Sequence, residues 1–103
     1  MEGKKTYLMA KNSIVNIFYD VIELQKGELL LCDTKLGKMY FQITQYGYVW
    51  DILCHITEVG QDKCEVSMRV IGERKDKADE IKREFALLDS MLESGGDVRL
   101  TES

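Results

Sequence analysis

"YVWDILCHITEVGQDKCEVSMRVIGE", residues 48–73, holds two of the chain's three cysteines, its only histidine and its only tryptophan. Three readings compete for it: a metal site, a thiol beside its base, or a β-hairpin. Side chains alternate between faces along a strand. As a strand, residues 48–56 put Tyr48, Trp50, Ile52, Cys54 and Ile56 on one apolar face, and Asp51, His55 and Thr57 on the other. Cys54 and His55 then cannot meet as a thiolate–imidazole pair, which requires hydrogen-bond reach. After the turn, Cys64, Val66, Met68 and Val70 face one way and Glu65, Ser67 and Arg69 the other.

Register separates the cysteines. Both apolar faces hold even-numbered residues, so opposed residues have numbers with an even sum. A three-residue turn at Gly60-Gln61-Asp62 sets Val59 opposite Lys63, Glu58 opposite Cys64 and Cys54 opposite Met68. The two cysteines then lie four residues apart along the ladder, about 13 Å. A disulfide needs Cα atoms within roughly 7 Å, and zinc needs sulfur at about 2.3 Å. No CxxC or HxxxH spacing occurs, so no metal is expected, and Cys54 and Cys64 read as small core hydrophobes. Cys32 is expected on the face opposite Leu29 and Leu31.

The same period of two extends back to Gly27. "ELLLCD" and "KMYFQIT" flank "TKLG", and the hairpin follows "QYG", which is the pattern of an antiparallel meander. Residues 4–11 read as a further short strand, with Leu8 and Ala10 on one side and Tyr7 and Met9 on the other. Between them, Ile14, Ile17, Phe18, Val21 and Leu24 recur at helical spacing. Asn12 or Ser13 is the expected N-cap and Gly27 the left-handed stop.

Residues 76–93 carry a stripe of Ala78, Ile81, Phe85, Leu88 and Leu92 opposite a charged face. Asp76 is the expected cap and Gly95-Gly96 the end. The stripe is too short for a coiled coil and reads as a helix packed on the sheet. The element order is thus β-α-β-β-β-β-α, and the fold class is α+β, a two-layer sandwich with both helices on one face of an antiparallel sheet. Residues 1–96 form the expected single domain and 97–103 a flexible C-terminal tail.

That order, the "CDTKLGKMYF" hairpin, the tryptophan in the middle strand and the closing amphipathic helix together resemble small helix-grip or TATA-binding-protein-like domains. That group includes lipid-transfer and pollen-allergen relatives and many bacterial domains of unknown function. The likeness covers residues 4–93 as a pattern. It implies a ligand site between the sheet and the C-terminal helix, although members with cavities usually carry extra strands.

Composition narrows function. The 103 residues include 14 Lys+Arg against 18 Asp+Glu, a net charge of −4. Phosphate-backbone binding calls for a basic footprint, so nucleic acid is not an expected partner. No run approaches the roughly 20 apolar residues of a membrane span, and "MEGKKTYLMAKNS" lacks the apolar segment of a signal peptide. Three cysteines without an export signal point to reduced thiols in the cytoplasm. The glycine and serine motifs of phosphate loops and hydrolase elbows are missing, so neither catalytic residues nor a cofactor are expected.

Two functions remain. The first is self-association or protein binding, as a homodimer or with another protein, through the outer face of the sheet. There Leu30, Tyr40, Val49, Leu53 and Ile71 stand among polar residues. With a four-residue loop at Thr44–Gly47, Tyr40 lies opposite Asp51, and a row Leu30–Tyr40–Asp51–Ile71 crosses four strands. The second is a small apolar ligand, held under the C-terminal helix by Phe41, Tyr48, Trp50, Met68 and Phe85.

Overall fold

The computed structural model describes residues 2–45, 47–72 and 77–102, with side chains described for 3–45, 47–72 and 78–93. In chain order these are β1 (Glu2–Tyr7), α1 (Lys11–Leu24), β2 (Glu28–Asp33), β3 (Lys38–Gln45), β4 (Tyr48–Gly60), β5 (Lys63–Ile71) and α2 (Lys77–Glu102). The strands form one antiparallel sheet in the order β1-β5-β4-β3-β2. β2 to β5 are the expected meander. β1 lies beside β5, at the far edge from β2, and α1 crosses the sheet to join the two edges. α1 packs on β4 and β2, α2 on β5 and β1, and the helices touch each other over the same face. This is the α+β architecture expected from the alternation of residues.

The face beneath the helices is a continuous core. Phe41, Ile52, Cys54, Cys64 and Val66 are all 0% exposed, and Phe18 of α1 meets Phe41 with ring centroids 6.3 Å apart. Burying a side chain of this size is worth about 1.5–3 kcal/mol against leaving it exposed, which fixes which side of each strand points inward.

The β4–β5 ladder has the expected register, with Cys54 opposite Met68 and Glu58 opposite Cys64. The turn is one residue tighter than expected: Gly60 pairs with Lys63, Asp62 takes positive φ, and a bulge between Glu58 and Gly60 absorbs Val59. The β3–β4 register differs. Gln45 pairs with Tyr48, so the loop has two residues rather than four, and Tyr40 faces Leu53 instead of Asp51. The shift is two residues, so the inner face of β3 is unchanged and holds the odd-numbered Met39, Phe41 and Ile43. In β2 a bulge falls between Leu29 and Leu31. Leu29 and Cys32 consequently partner the inward residues Phe41 and Met39, while Leu31 turns outward beside Tyr40. Cys32 thus shares a face with Leu29, contrary to simple alternation.

Helix boundaries also move. β1 ends at Tyr7, leaving Leu8 exposed, and Ala10 is the N-cap of α1, its carbonyl accepting from Ser13 and Ile14 N–H at 3.1 and 3.2 Å. The buried stripe of α1 is Ile14, Val15, Phe18, Val21 and Ile22, with Leu24 exposed. At its C-terminus, Lys26 N–H donates to Glu23 O at 2.9 Å and Gly27 N–H to Ile22 O at 2.8 Å. These two bonds make a Schellman cap. Its left-handed residue is Lys26 (φ 55°) and not Gly27. Gly27 is instead required by crowding, since a Cβ there would lie 2.8 Å from Gln42 O and 2.9 Å from Ile43 Cγ2. α2 continues through Gly95 and Gly96 to Glu102, and its expected cap, Asp76, lies outside the described residues.

Candidate functional site

With both helices on one side, the opposite face of the sheet is left uncovered by any described element. Its centre is set by the β3–β4 and β4–β5 registers. Tyr40 of β3 opposes Leu53 of β4, which opposes Arg69 of β5. The β2 bulge sets Leu30 and Leu31 together against Tyr40. One apolar row thus runs from the β2 edge to the middle of the sheet. Leu30, Leu31, Val49 and Ile71 are 42–47% exposed, and Tyr40 and Leu53 are half-buried.

The structure therefore brings Leu30, Tyr40 and Leu53 together. Ile71, opposite Asp51, stands one row away towards the β3–β4 loop, and Val49, opposite Thr44, two rows away. The expected row through Asp51 does not form. Asp51 instead accepts hydrogen bonds from Tyr40 Oη at 3.1 Å and Gln42 Nε2 at 2.7 Å. The bond to Asp51 raises the Tyr40 phenol above its ordinary value, keeping it a neutral donor. Leu31 was hidden from sequence reasoning, because plain alternation pairs it inward with Leu29.

On the other side of the row, exposed His55 lies between Lys38 and Ser67. It is on the opposite face from Cys54, so the described geometry contains no pairing of these two groups. Cys54 and Cys64 are buried, and burial raises both thiols above the ordinary range, in Cys64 with help from nearby Glu58. A thiol held protonated in this way is a poor nucleophile. Cys32 lies 3.2 Å from Tyr19 Oη, and all three cysteines are free. Among the described residues, no group of three His, Cys, Asp or Glu side chains could hold a metal ion.

The expected ligand wall is largely packed core. Phe41, Trp50 and Met68 are buried against the helices, and Phe85 is half-buried. Tyr48 is 56% exposed at the start of β4 and stands apart from them.

A second polar cluster joins α1 to α2. Glu84 is 1% exposed and accepts from Gln25 Nε2 at 2.8 Å. Arg83 donates to Gln25 Oε1 at 2.7 Å, to Glu80 at 2.8 Å and to Glu84 at 3.0 Å. Burial pushes the Glu84 carboxyl up to about 8; the hydrogen bond to Glu80 adds to this, while Gln25 and Arg83 oppose it. A charged residue inside the 81–85–88 stripe reads from sequence as part of a solvated face, so this cluster was not anticipated.

Compared with known proteins, the chain matches no protein-family model and no curated protein. None of the described helices is long and apolar enough to cross a membrane.

Proposed function

We propose that this domain is a non-catalytic interaction module that pairs with a second copy of itself through the outer face of the sheet. The observation that carries this reading is the Leu30/Leu31–Tyr40–Leu53 row on a face no described element covers. Contiguous apolar surface bordered by polar groups marks partner sites. Here the border is Lys38, Gln42, Asp51 and Arg69. Two-fold pairs are the commonest oligomers, and a two-fold axis through the sheet would set one apolar row across the other. The net charge of −4 favours a protein partner over nucleic acid. A cytoplasmic location accompanies this reading, supported by three free cysteines.

Native mass spectrometry beside the denatured mass tests it: a dimer without excess mass is expected. A monomer at high micromolar concentration would sink the proposal. A second reading, a small apolar ligand between the sheet and α2 as in helix-grip domains, is supported by an open groove beside Phe85. The burial of Phe41, Trp50 and Met68 weighs against a deeper site. A monomer carrying extra mass would favour that second reading.

A further inference from the structure

β1 is the last strand at its end of the sheet, so one side of its backbone has no strand partner among the described residues. α2 runs beside it, and between them lies an open groove of about 420 Å³. Its floor and wall are Gly3, Ala78, Ile81, Phe85 and Ala86. Small residues keep it open. A Cβ at Gly3 would lie 2.8 Å from both Ile81 Cγ2 and Phe85 Cε2, so these side chains rest directly over the strand. Ala78 and Ala86, about two turns apart on α2, are too short to fill the space. The walls are pinned together: Asp89 of α2 accepts from Tyr7 Oη at 2.8 Å and forms an ion pair with Lys5.

The groove's charge is one-sided. Lys4, Lys5 and Lys82 line its rim against Asp89 as the only acid, and Asp89 is already engaged by Lys5. Among the described residues Lys4 and Lys82 form no ion pair, and they stand beside an apolar slot and a strand edge with no described partner strand. From this we propose that the groove docks an extended segment of a partner protein, added as a sixth strand beside β1. The segment alternates apolar residues, which enter the groove beside Ala78 and Ala86, with acidic residues, which meet Lys4 on the outer face. Strand addition takes its affinity from main-chain hydrogen bonds and its specificity from pockets for every second side chain.

The same lysines argue against a second copy at this edge. A two-fold pairing centred on Lys4 or Lys5 sets lysine opposite lysine, and directly opposed like charges are destabilising. Lysine on an edge strand is a common guard against self-pairing, and an acidic strand turns that guard into an attraction. This surface is distinct from the outer-face row, so the two proposals stand or fall separately.

The test uses the full chain, ¹⁵N-labelled, titrated with a capped decapeptide of alternating valine and glutamate. Amide shifts are expected at residues 3–7 and 78–89, with β1 amides becoming protected from hydrogen exchange. Lys4→Glu and Ala86→Glu, both at exposed positions, should each weaken binding about tenfold or more and leave the spectrum folded. Equal binding of a valine–lysine peptide, or shifts centred on Leu53 and His55, would overturn the proposal, as would no shift at millimolar peptide. Two further results would overturn it in favour of other occupants. Protection of β1 that rises with protein concentration alone would indicate a second copy. Decanoate shifting α2 without protecting β1, where the peptide fails, would indicate an amphiphile.

Discussion

The two faces of this sheet are built from the same strands, one residue out of phase, and their burial differs completely. On β4, Ile52 and Cys54 are fully buried while Leu53 between them is only half-covered. The inner residues answer to α1 and α2. No described helix packs on Leu30, Leu31, Tyr40 and Leu53, which is why the proposed pairing is placed there. Inner-face apolars explain stability, and the outer-face apolars are what the proposed pairing rests on.

The largest effect should come from the inner face. Phe41→Ala is expected to cost about 3–5 kcal/mol by chemical denaturation, from lost burial and the cavity left under Phe18. An effect below 1 kcal/mol would mean the two faces have been assigned the wrong way round. The helix layer should show its own dependence on pH. The Glu84 carboxyl is raised from 4.5 to about 8 in the folded chain. Between those values the folded chain holds a proton that the unfolded chain has released, so stability falls as pH rises through that interval. Tm is therefore expected to drop by several degrees from pH 6 to pH 9, a change of a few kcal/mol at most. Glu84→Gln should flatten that slope while keeping the bond from Gln25. A slope unchanged in the variant would assign the effect elsewhere.

On the outer face the expected signature is reversed. Leu53→Glu should weaken dimerisation about tenfold or more by sedimentation, with little change in monomer stability. Unfolding instead of dissociation would make Leu53 a core residue. Lys26→Gly, which relieves a left-handed residue at the end of α1, should stabilise the fold by roughly 0.5–1 kcal/mol. Smallest of all, His55→Ala should lie within about 0.5 kcal/mol of the parent, since the imidazole is exposed.

Much of this contrast can be read directly from residue order. Strict alternation in Cys64, Val66, Met68 and Val70, with a glycine-bearing turn before it, was enough to set Cys54 opposite Met68. The β3–β4 register was not legible, because a two-residue and a four-residue loop differ by no hydrophobic signal within the loop, yet they change which residue Tyr40 meets. The β2 bulge was hidden in three consecutive leucines, where a slip of one leaves the apolar pattern unchanged. The left-handed position falls on Lys26, while Gly27 answers to crowding against Gln42 and Ile43, a tertiary demand that local turn preferences do not contain. Glu84 escaped for a related reason: whether a carboxylate on a helix is solvated depends on what the neighbouring helix brings, here Gln25.

The placement of β1 has a consequence for how the chain assembles. β2 to β5 zip through neighbouring hairpins, whereas Glu2 must find Arg69 and Tyr7 must find Cys64. Closing so long a loop carries an entropic cost that only late contacts repay. β1 is therefore expected to join last and detach first, which hydrogen exchange of its amides checks. Substitutions in it should accelerate unfolding and leave the folding rate nearly unchanged, and the proposed peptide, by bracing that strand, would act as a brake on the first step of unfolding.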